Sequence, residues 1–427
     1  MGWVMVVVYD KKFQLAPILT GNASELYRVW KQYWELSVWR NEDICDSAFL
    51  FLNGAYLTKN GTRLRYHGRD NNPRLHVFVI RESGTGKSEA SKSTNEFAKG
   101  LGLDSSHLLK ATDAALTGSI LDTPKGAKEI PGLLAIKNCL MWDEGSVFLK
   151  QNPHSETLQD IIQQTTDEPG IIERSLRLGT NSFESRTSVW AHSYMTESVN
   201  ATIFGKGLFQ RMLLSYREVG SNEIADFCRN RYRLVGSDPE VRSECVERYG
   251  AILASAEADQ GRTITFDEQA VKSVGEKVAN LVDEYGRAFK SGDCRNRILA
   301  SFISRNNQIL HIAGIIAALN GSQTAGEAEM EVGFGMWRNH LDSANAVLAL
   351  QRAALPDAAA RRLDVLRQTL SQNPGGMAKL RLVDALMNSG GWDMRDKNTR
   401  DFINEQIEKG VLKEERGKGN TQTVSLA

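Results

Sequence analysis

Residues 80 to 88 read Ile-Arg-Glu-Ser-Gly-Thr-Gly-Lys-Ser, directly after the apolar residues Leu75, Val77, Phe78, Val79 and Ile80. An apolar run, a glycine-rich turn and then Lys-Ser is the order that a triphosphate-binding loop requires. Along Ser83, Gly84, Thr85 and Gly86 the backbone N–H groups can close on phosphate oxygens, because glycine carries no Cβ. Lys87 reaches the β- and γ-phosphates and Ser88 places a hydroxyl on Mg²⁺. With Glu89, these residues open a helix whose positive dipole end faces the same phosphates. One position departs from the pattern: Arg81 stands where its first glycine belongs. Whether Arg81 is harmless or tunes the site toward binding over turnover stays open at this level.

Hydrolysis of a γ-phosphate also needs a carboxylate to hold the metal and a group that orients or deprotonates water. Cys139-Leu140-Met141-Trp142-Asp143-Glu144 offers both: an apolar strand, expected beside the P-loop strand, delivers Asp143 toward Mg²⁺ and Glu144 toward the attacking water. The run Val189 to Thr196 reads as a buried strand with a polar end, where Ser193, Tyr194 and Thr196 compete to hydrogen-bond the γ-phosphate or the water. Arg211 lies in the apolar run Gly207 to Leu214, and burying a lone guanidinium costs several kcal/mol. Either it pairs with an internal carboxylate or it reaches across a subunit boundary as an arginine finger, a role worth ~10³–10⁵ in rate.

These residues need a scaffold, and the chain's patterning predicts an α/β fold. Leu26, Val29, Trp30, Tyr33 and Trp34 recur at helical spacing and predict a helix over 24–38. Residues 48–56 are apolar, and 59–73 read as a loop or hairpin. Beyond the P-loop helix, 133–142 form a strand candidate and 155–166 a polar helix. The runs 170–178 and 186–194, joined by the turn-rich 179–182, read as a hairpin leading into a buried strand. Residues 222–350 are dominantly helical, and Ile298, Phe302, Ile303, Ile309, Leu310, Ile312, Ala313, Ile315 and Ile316 mark an apolar-rich stretch expected to be a helix buried on most sides. After Pro356 come helices over 358–370, 378–387 and 399–409, then a glycine-tipped hairpin over 410–426, the order of a winged helix. The expected domains are therefore 1–222 for the ATPase, 223–355 for a helical lid and 356–427 for the winged helix.

Composition bounds the partners. The 427 residues carry zero formal net charge, so attraction to nucleic acid has to come from local basic patches. No apolar run approaches the length that crosses a bilayer, and Met1 to Val8 reads as a strand, not a signal peptide. Five scattered cysteines without a C-x-x-C pair fit a reducing compartment, and the expected location is cytoplasmic or nucleoid-associated. The seven dispersed histidines show no metal-ligand spacing with the cysteines and are read as ordinary surface or core residues.

The order of these elements resembles an AAA+ ATPase, and within that group the core of minichromosome maintenance helicases. Ala111 to Ser119 resembles the Thr-x-x-Gly-Leu-Thr segment between P-loop and acidic strand. Ile171 to Val189, closing on Ser185-Arg186-Thr187-Ser188-Val189, resembles the hairpin before the sensor strand, and Phe209 to Leu213 stands where the family has Ser-Arg-Phe-Asp. The likeness covers roughly 25–220 and 358–427; the Arg81 to Gly84 segment and the missing sensor asparagine depart from it, and helicases of phages, plasmids and genomic islands are similar too. It implies ATP and Mg²⁺ as cofactors, a ring, hexameric in the family's manner, and DNA as partner. Arg174 and Arg177 would then face a single strand in the pore, and Arg297 or Arg305 would act as a second sensor, Arg305 being preferred. In the winged helix, Asn398, Thr399 and Arg400, with Lys413, Arg416 and Lys418 at the wing, would meet DNA. The alternatives are an ATP-dependent DNA-bound remodeller or regulator that does not unwind, and an ATP-binding scaffold at an origin.

Overall fold

The structure, a computed structural model, describes residues 13–38, 41–123, 126–149, 153–176, 179–194, 207–231, 239–258, 260–289, 294–354, 358–373, 375–388, 396–416 and 422–426. The strand expected at Met1 to Val8 lies outside them. The chain divides into two compact units, Met1–Leu348 and Ala349–Ala427.

The first unit is built on a five-stranded sheet of β3 (Val77–Ile80), β4 (Ser105–Leu108), β7 (Cys139–Trp142), β10 (Ser188–Ser193) and β11 (Leu213–Tyr216) in the order β11-β3-β10-β7-β4. All of its pairings are parallel. Parallel strands are covered on both faces and read as continuous apolar runs, and every residue of β3, β7, β10 and β11 is buried. The acidic strand β7 was expected to lie beside the P-loop strand β3. Instead β10 pairs with both and separates them. Uniform apolarity identifies a central strand but does not rank central strands against one another.

Helices α1 (Gly21–Glu35), α2 (Glu42–Lys59) and α3 (Lys87–Gly100) pack around this sheet. Helix α2 is buried on nearly every side and lies against β3, β10 and β11, with Phe51 edge-on to Trp190 of β10 at 5.7 Å. On α1, Trp30 and Tyr33 both meet Phe97 of α3 edge-on, at 5.0 and 4.6 Å, so the aromatic stripe is core. The helix Asn307–Leu319 is buried along almost its whole length and packs on α2.

Two antiparallel hairpins leave the sheet: β5 (Gly118–Thr123) with β6 (Gly126–Pro131), and β8 (Ile171–Leu176) with β9 (Gly179–Glu184). The second corrects the expected pairing, because 179–182 form a strand and not the turn, while 188–193 form the parallel strand β10. Polar side chains hid β9, since a hairpin ladder is made by the backbone whatever the side chains are. The strand candidate 133–142 splits into a short helix, Leu133–Ile136, and β7. A further sheet joins the hairpin β1 (Arg63–Tyr66) and β2 (Arg69–Asn71) to β12 (Thr263–Phe266) and β13 (Thr324–Ala325), in the order β13-β12-β1-β2. Its strands β12 and β13 are short interruptions of the region read as helical. No helix among the described residues is long and apolar enough to cross a membrane.

The second unit has helices Ala358–Ser371, Lys379–Met387 and Asp396–Glu408, and an antiparallel sheet ordered β14 (Met377–Ala378), β16 (Gln422–Leu426), β15 (Leu412–Arg416). Leu366, Leu370, Leu382, Leu386, Ile403 and Val424 form the middle of its core.

Candidate functional site

The loop after β3 has the backbone that its glycines allow. Gly84 and Gly86 take φ of +77° and +81°, a region costly for any residue with a Cβ, and Gly86 leads directly into α3. Ser83 and Glu89 are exposed, Ser88 and Lys87 are half-buried, and Thr85 is buried with its hydroxyl on the Glu82 carbonyl at 2.8 Å. Lys87 Nζ donates to the carbonyls of Arg81 and Glu82 at 2.8 and 2.6 Å, so the lysine is curled over its own loop. Burial, helped by the nearby Arg81 charge, lowers its pKa to about 8, although Glu82, Glu144 and Glu89 pull the other way. Glu144 is thus within electrostatic reach of the P-loop lysine.

Arg81 has a structural explanation. Its side chain is 0% exposed; it pairs with Asp43 and donates to Asn41 Oδ1 at 3.1 Å, both at the start of α2. Asn41 in turn donates to the Thr85 carbonyl at 3.0 Å, and Ser215 of β11 donates to Asp43 at 2.8 Å. Position 81 is not among the positive-φ residues, so the backbone there does not need glycine. The arginine fastens the mouth of the loop to α2 and β11.

Asp143 and Glu144 follow β7 at the same, C-terminal edge of the sheet as the P-loop. Asp143 Oδ1 accepts from Ser91 Oγ at 2.8 Å and His192 Nε2 at 2.7 Å; His107 Nε2 stands 2.8 Å from the same oxygen and hydrogen-bonds to Ser91 Oγ at 2.9 Å, whereas Oδ2 has no partner among the described residues. Burial would raise this carboxyl, but hydrogen bonds from His192 and Ser91 and the charge of both imidazoles outweigh it and hold it below the ordinary range. Ser91 lies on α3 one turn beyond Ser88, and its hydroxyl donates to Asp143 with the Ser88 carbonyl the longer alternative at 3.3 Å, so Asp143 is tethered to α3. Glu144 is exposed and accepts from Ser146. Between them and β10 there is no slack, since a Cβ on Gly145 would come within 2.8 Å of the His192 carbonyl.

Reading the histidines as ordinary residues overlooked His107 and His192. No local signal marks them; β4, β7 and β10 bring them to Asp143 only once the register is known. No cluster of three or more His, Cys, Asp or Glu with metal-holding geometry occurs among the described residues. Ser88 and Asp143 nevertheless fit a nucleotide-borne Mg²⁺, which keeps its waters and phosphates and takes only one or two protein oxygens.

Of the γ-phosphate candidates, Ser193 is buried and donates to the Tyr194 carbonyl at 3.1 Å, Tyr194 is 45% exposed, and Thr196 lies outside the described residues. Arg211 does not join the P-loop. It forms a two-pronged pair with Asp167, one prong at 3.2 Å, and donates to the Gly207 carbonyl at 2.7 Å. Arg305 lines the same cleft of about 130 Å³ with Arg74, His76, Asp167 and Gln308. Its pKa is lowered by partial burial and by Arg211. Arg211 precedes β11 and His76 precedes β3, so this cleft lies at the N-terminal edge of the sheet, roughly 13 Å of strand from the loop at the other edge. Arg297 carries no described side chain.

The expected DNA contacts are scattered. Arg174 is tied back to the helix Asp113–Thr117, pairing with Asp113 and donating to Thr117 Oγ1 at 2.8 Å. Arg400 is engaged by Asp396 at 2.6 and 3.1 Å, Lys413 is exposed, and Arg416 ends β15. Arg177 and Lys418 lie outside the described residues. No protein-family model matches the chain, and no curated protein matches it.

Proposed function

We propose that the chain is an ATP hydrolase of the AAA+ type that assembles as a ring, a hexamer by the pattern it resembles, and moves on or unwinds DNA, with a winged helix as its second unit. The observation that carries it is the parallel order β11-β3-β10-β7-β4, which sets the P-loop at the end of β3 and Asp143-Glu144 at the end of β7, one strand away on the same edge. The backbone N–H groups of 83–88 and Lys87 bind the phosphates, Ser88 and Asp143 take the cation, and Glu144 draws a proton from the attacking water. Mg²⁺ would supply neutralisation of the charge that develops on the phosphates.

Support for a ring comes from Arg211 and Arg305, which sit at the sheet edge away from their own P-loop and so suit a neighbour's nucleotide. Asp167 is the resting partner from which Arg211 would transfer. DNA as the substrate rests on the paired hairpins β5–β6 and β8–β9, which pack on each other, and on the helix and strand order of the second unit. A forked-duplex unwinding assay at saturating ATP tests it. Strand separation lost in Lys87→Ala is expected; vigorous DNA-stimulated ATP turnover without separation would favour a remodeller instead.

A further inference from the structure

Two side chains donate to a single oxygen of Asp143. Ser91 of α3 and His192 of β10 both reach Oδ1, while His107 of β4 hydrogen-bonds to Ser91 Oγ at 2.9 Å with its Nε2 2.8 Å from the same Oδ1, and the other oxygen is left bare among the described residues. A carboxylate can only accept, so His192 must present an Nε2–H to it, and the Ser91 hydroxyl, which donates to Asp143, accepts from His107. His192 is the best fixed of the three: its side chain is 4% exposed, and it extends from a strand whose every residue is buried. An aspartate side chain otherwise rotates about χ2 with a broad, two-fold profile, which would exchange the two oxygens. Donors from two separate elements, one of them backed by His107 of a third, remove that freedom.

We propose that His192, backed by Ser91 and His107, is the positioning residue that holds Asp143 in the one orientation where Oδ2 serves the nucleotide-bound divalent cation. The inference rests on the ATP-hydrolase assignment above. Its consequence is selective: loss of the imidazole weakens the cation and leaves the grip of the P-loop on nucleotide alone. Groups that orient a metal ligand in this way are typically worth about 10–100-fold in metal affinity.

The test is Mn²⁺ binding, read by electron paramagnetic resonance, to the full-length chain saturated with AMP-PNP. His192→Ala is expected to weaken Mn²⁺ by about tenfold or more, and His192→Gln, which restores an N–H donor, to stay within about threefold of wild type. AMP-PNP affinity measured in EDTA should be the same in all three. Should His192→Ala not fold, Ser91→Ala removes a donor from the same oxygen and must shift Mn²⁺ affinity in the same direction. Folded variants with Mn²⁺ affinity indistinguishable from wild type overturn the positioning role while leaving the hydrolase assignment standing. A wild-type protein that binds AMP-PNP but takes up no Mn²⁺ overturns both.

Discussion

Replacing Arg81 by glycine restores the first glycine of the phosphate-loop pattern, and the structure predicts that this repair is harmful. The guanidinium is 0% exposed and its partner carboxylate, Asp43, 17% exposed. Breaking a buried pair from one side costs about 3–5 kcal/mol, since the remaining charge is left without compensation. Asp43 keeps the Ser215 hydroxyl and some solvent, which places Arg81→Gly near the lower end, at about 3 kcal/mol. Glycine adds about 0.5–1 kcal/mol of backbone entropy at a position with no positive φ to exploit. Urea unfolding followed by tryptophan fluorescence is the suitable assay, because Trp392 is the only tryptophan of the second unit and the others report on the first. The double variant Arg81→Met with Asp43→Asn removes both charges and should cost at least about 1 kcal/mol less than the sum of the two single changes. If Arg81→Gly unfolds within about 0.5 kcal/mol of wild type, or binds ATP more tightly, the anchoring role is wrong.

Three further outcomes follow from the same geometry. ATP binding should weaken as pH rises through about 8, because the free loop holds the Lys87 pKa there and bound phosphate raises it. The affinity loss should reach up to about tenfold one unit higher, and calorimetry in buffers of different ionisation enthalpy should detect proton uptake on binding; pH-independent affinity between 7 and 9 would contradict it. Mixing Arg211→Ala subunits with Lys87→Ala subunits should recover part of the ATPase activity that each lacks alone, and intact assemblies showing no recovery at any ratio would remove the trans role. Gly145→Ala should lower turnover with little change in ATP affinity, since a Cβ 2.8 Å from the His192 carbonyl displaces the acidic loop and not the phosphate loop; an unchanged turnover number would show the loop to be adaptable.

How far the sequence spoke for itself differs from element to element. The glycine-rich turn after β3 and the acidic end of β7 were legible because their signals are local: glycines that take positive φ, a lysine, a hydroxyl and two carboxylates in short stretches. Helix α1 was legible from apolar periodicity, whereas 48–56 stood out only as an apolar segment of what is helix α2, and the apolar stretch 298–316 spans two helices, Cys294–Ser304 and Asn307–Leu319. Strand β4 was not, because Ser105-Ser106-His107-Leu108 has no apolar run, and β9 was mistaken for a turn because Gly179 to Ser182 is polar. The insertion of β10 between β3 and β7 depends on which buried strands meet, a long-range fact that strand composition does not encode. The same limit hid the site's supporting residues. Arg81 looked like a defect in a motif until Asp43 and Asn41, some 40 positions earlier, appeared beside it; His107 and His192 became part of the site only through the register of three strands.

The central claim is that Lys87 and Glu144 belong to one ATP-hydrolysing centre, and steady-state phosphate release together with ATP binding by the full-length protein tests it most directly. Wild type should bind and turn over Mg²⁺-ATP, Lys87→Ala should lose binding, and Glu144→Gln should bind ATP normally while turnover falls by about 10²-fold or more. A Glu144→Gln protein that hydrolyses ATP at the wild-type rate, or a Lys87→Ala protein that binds it undiminished, would contradict the account.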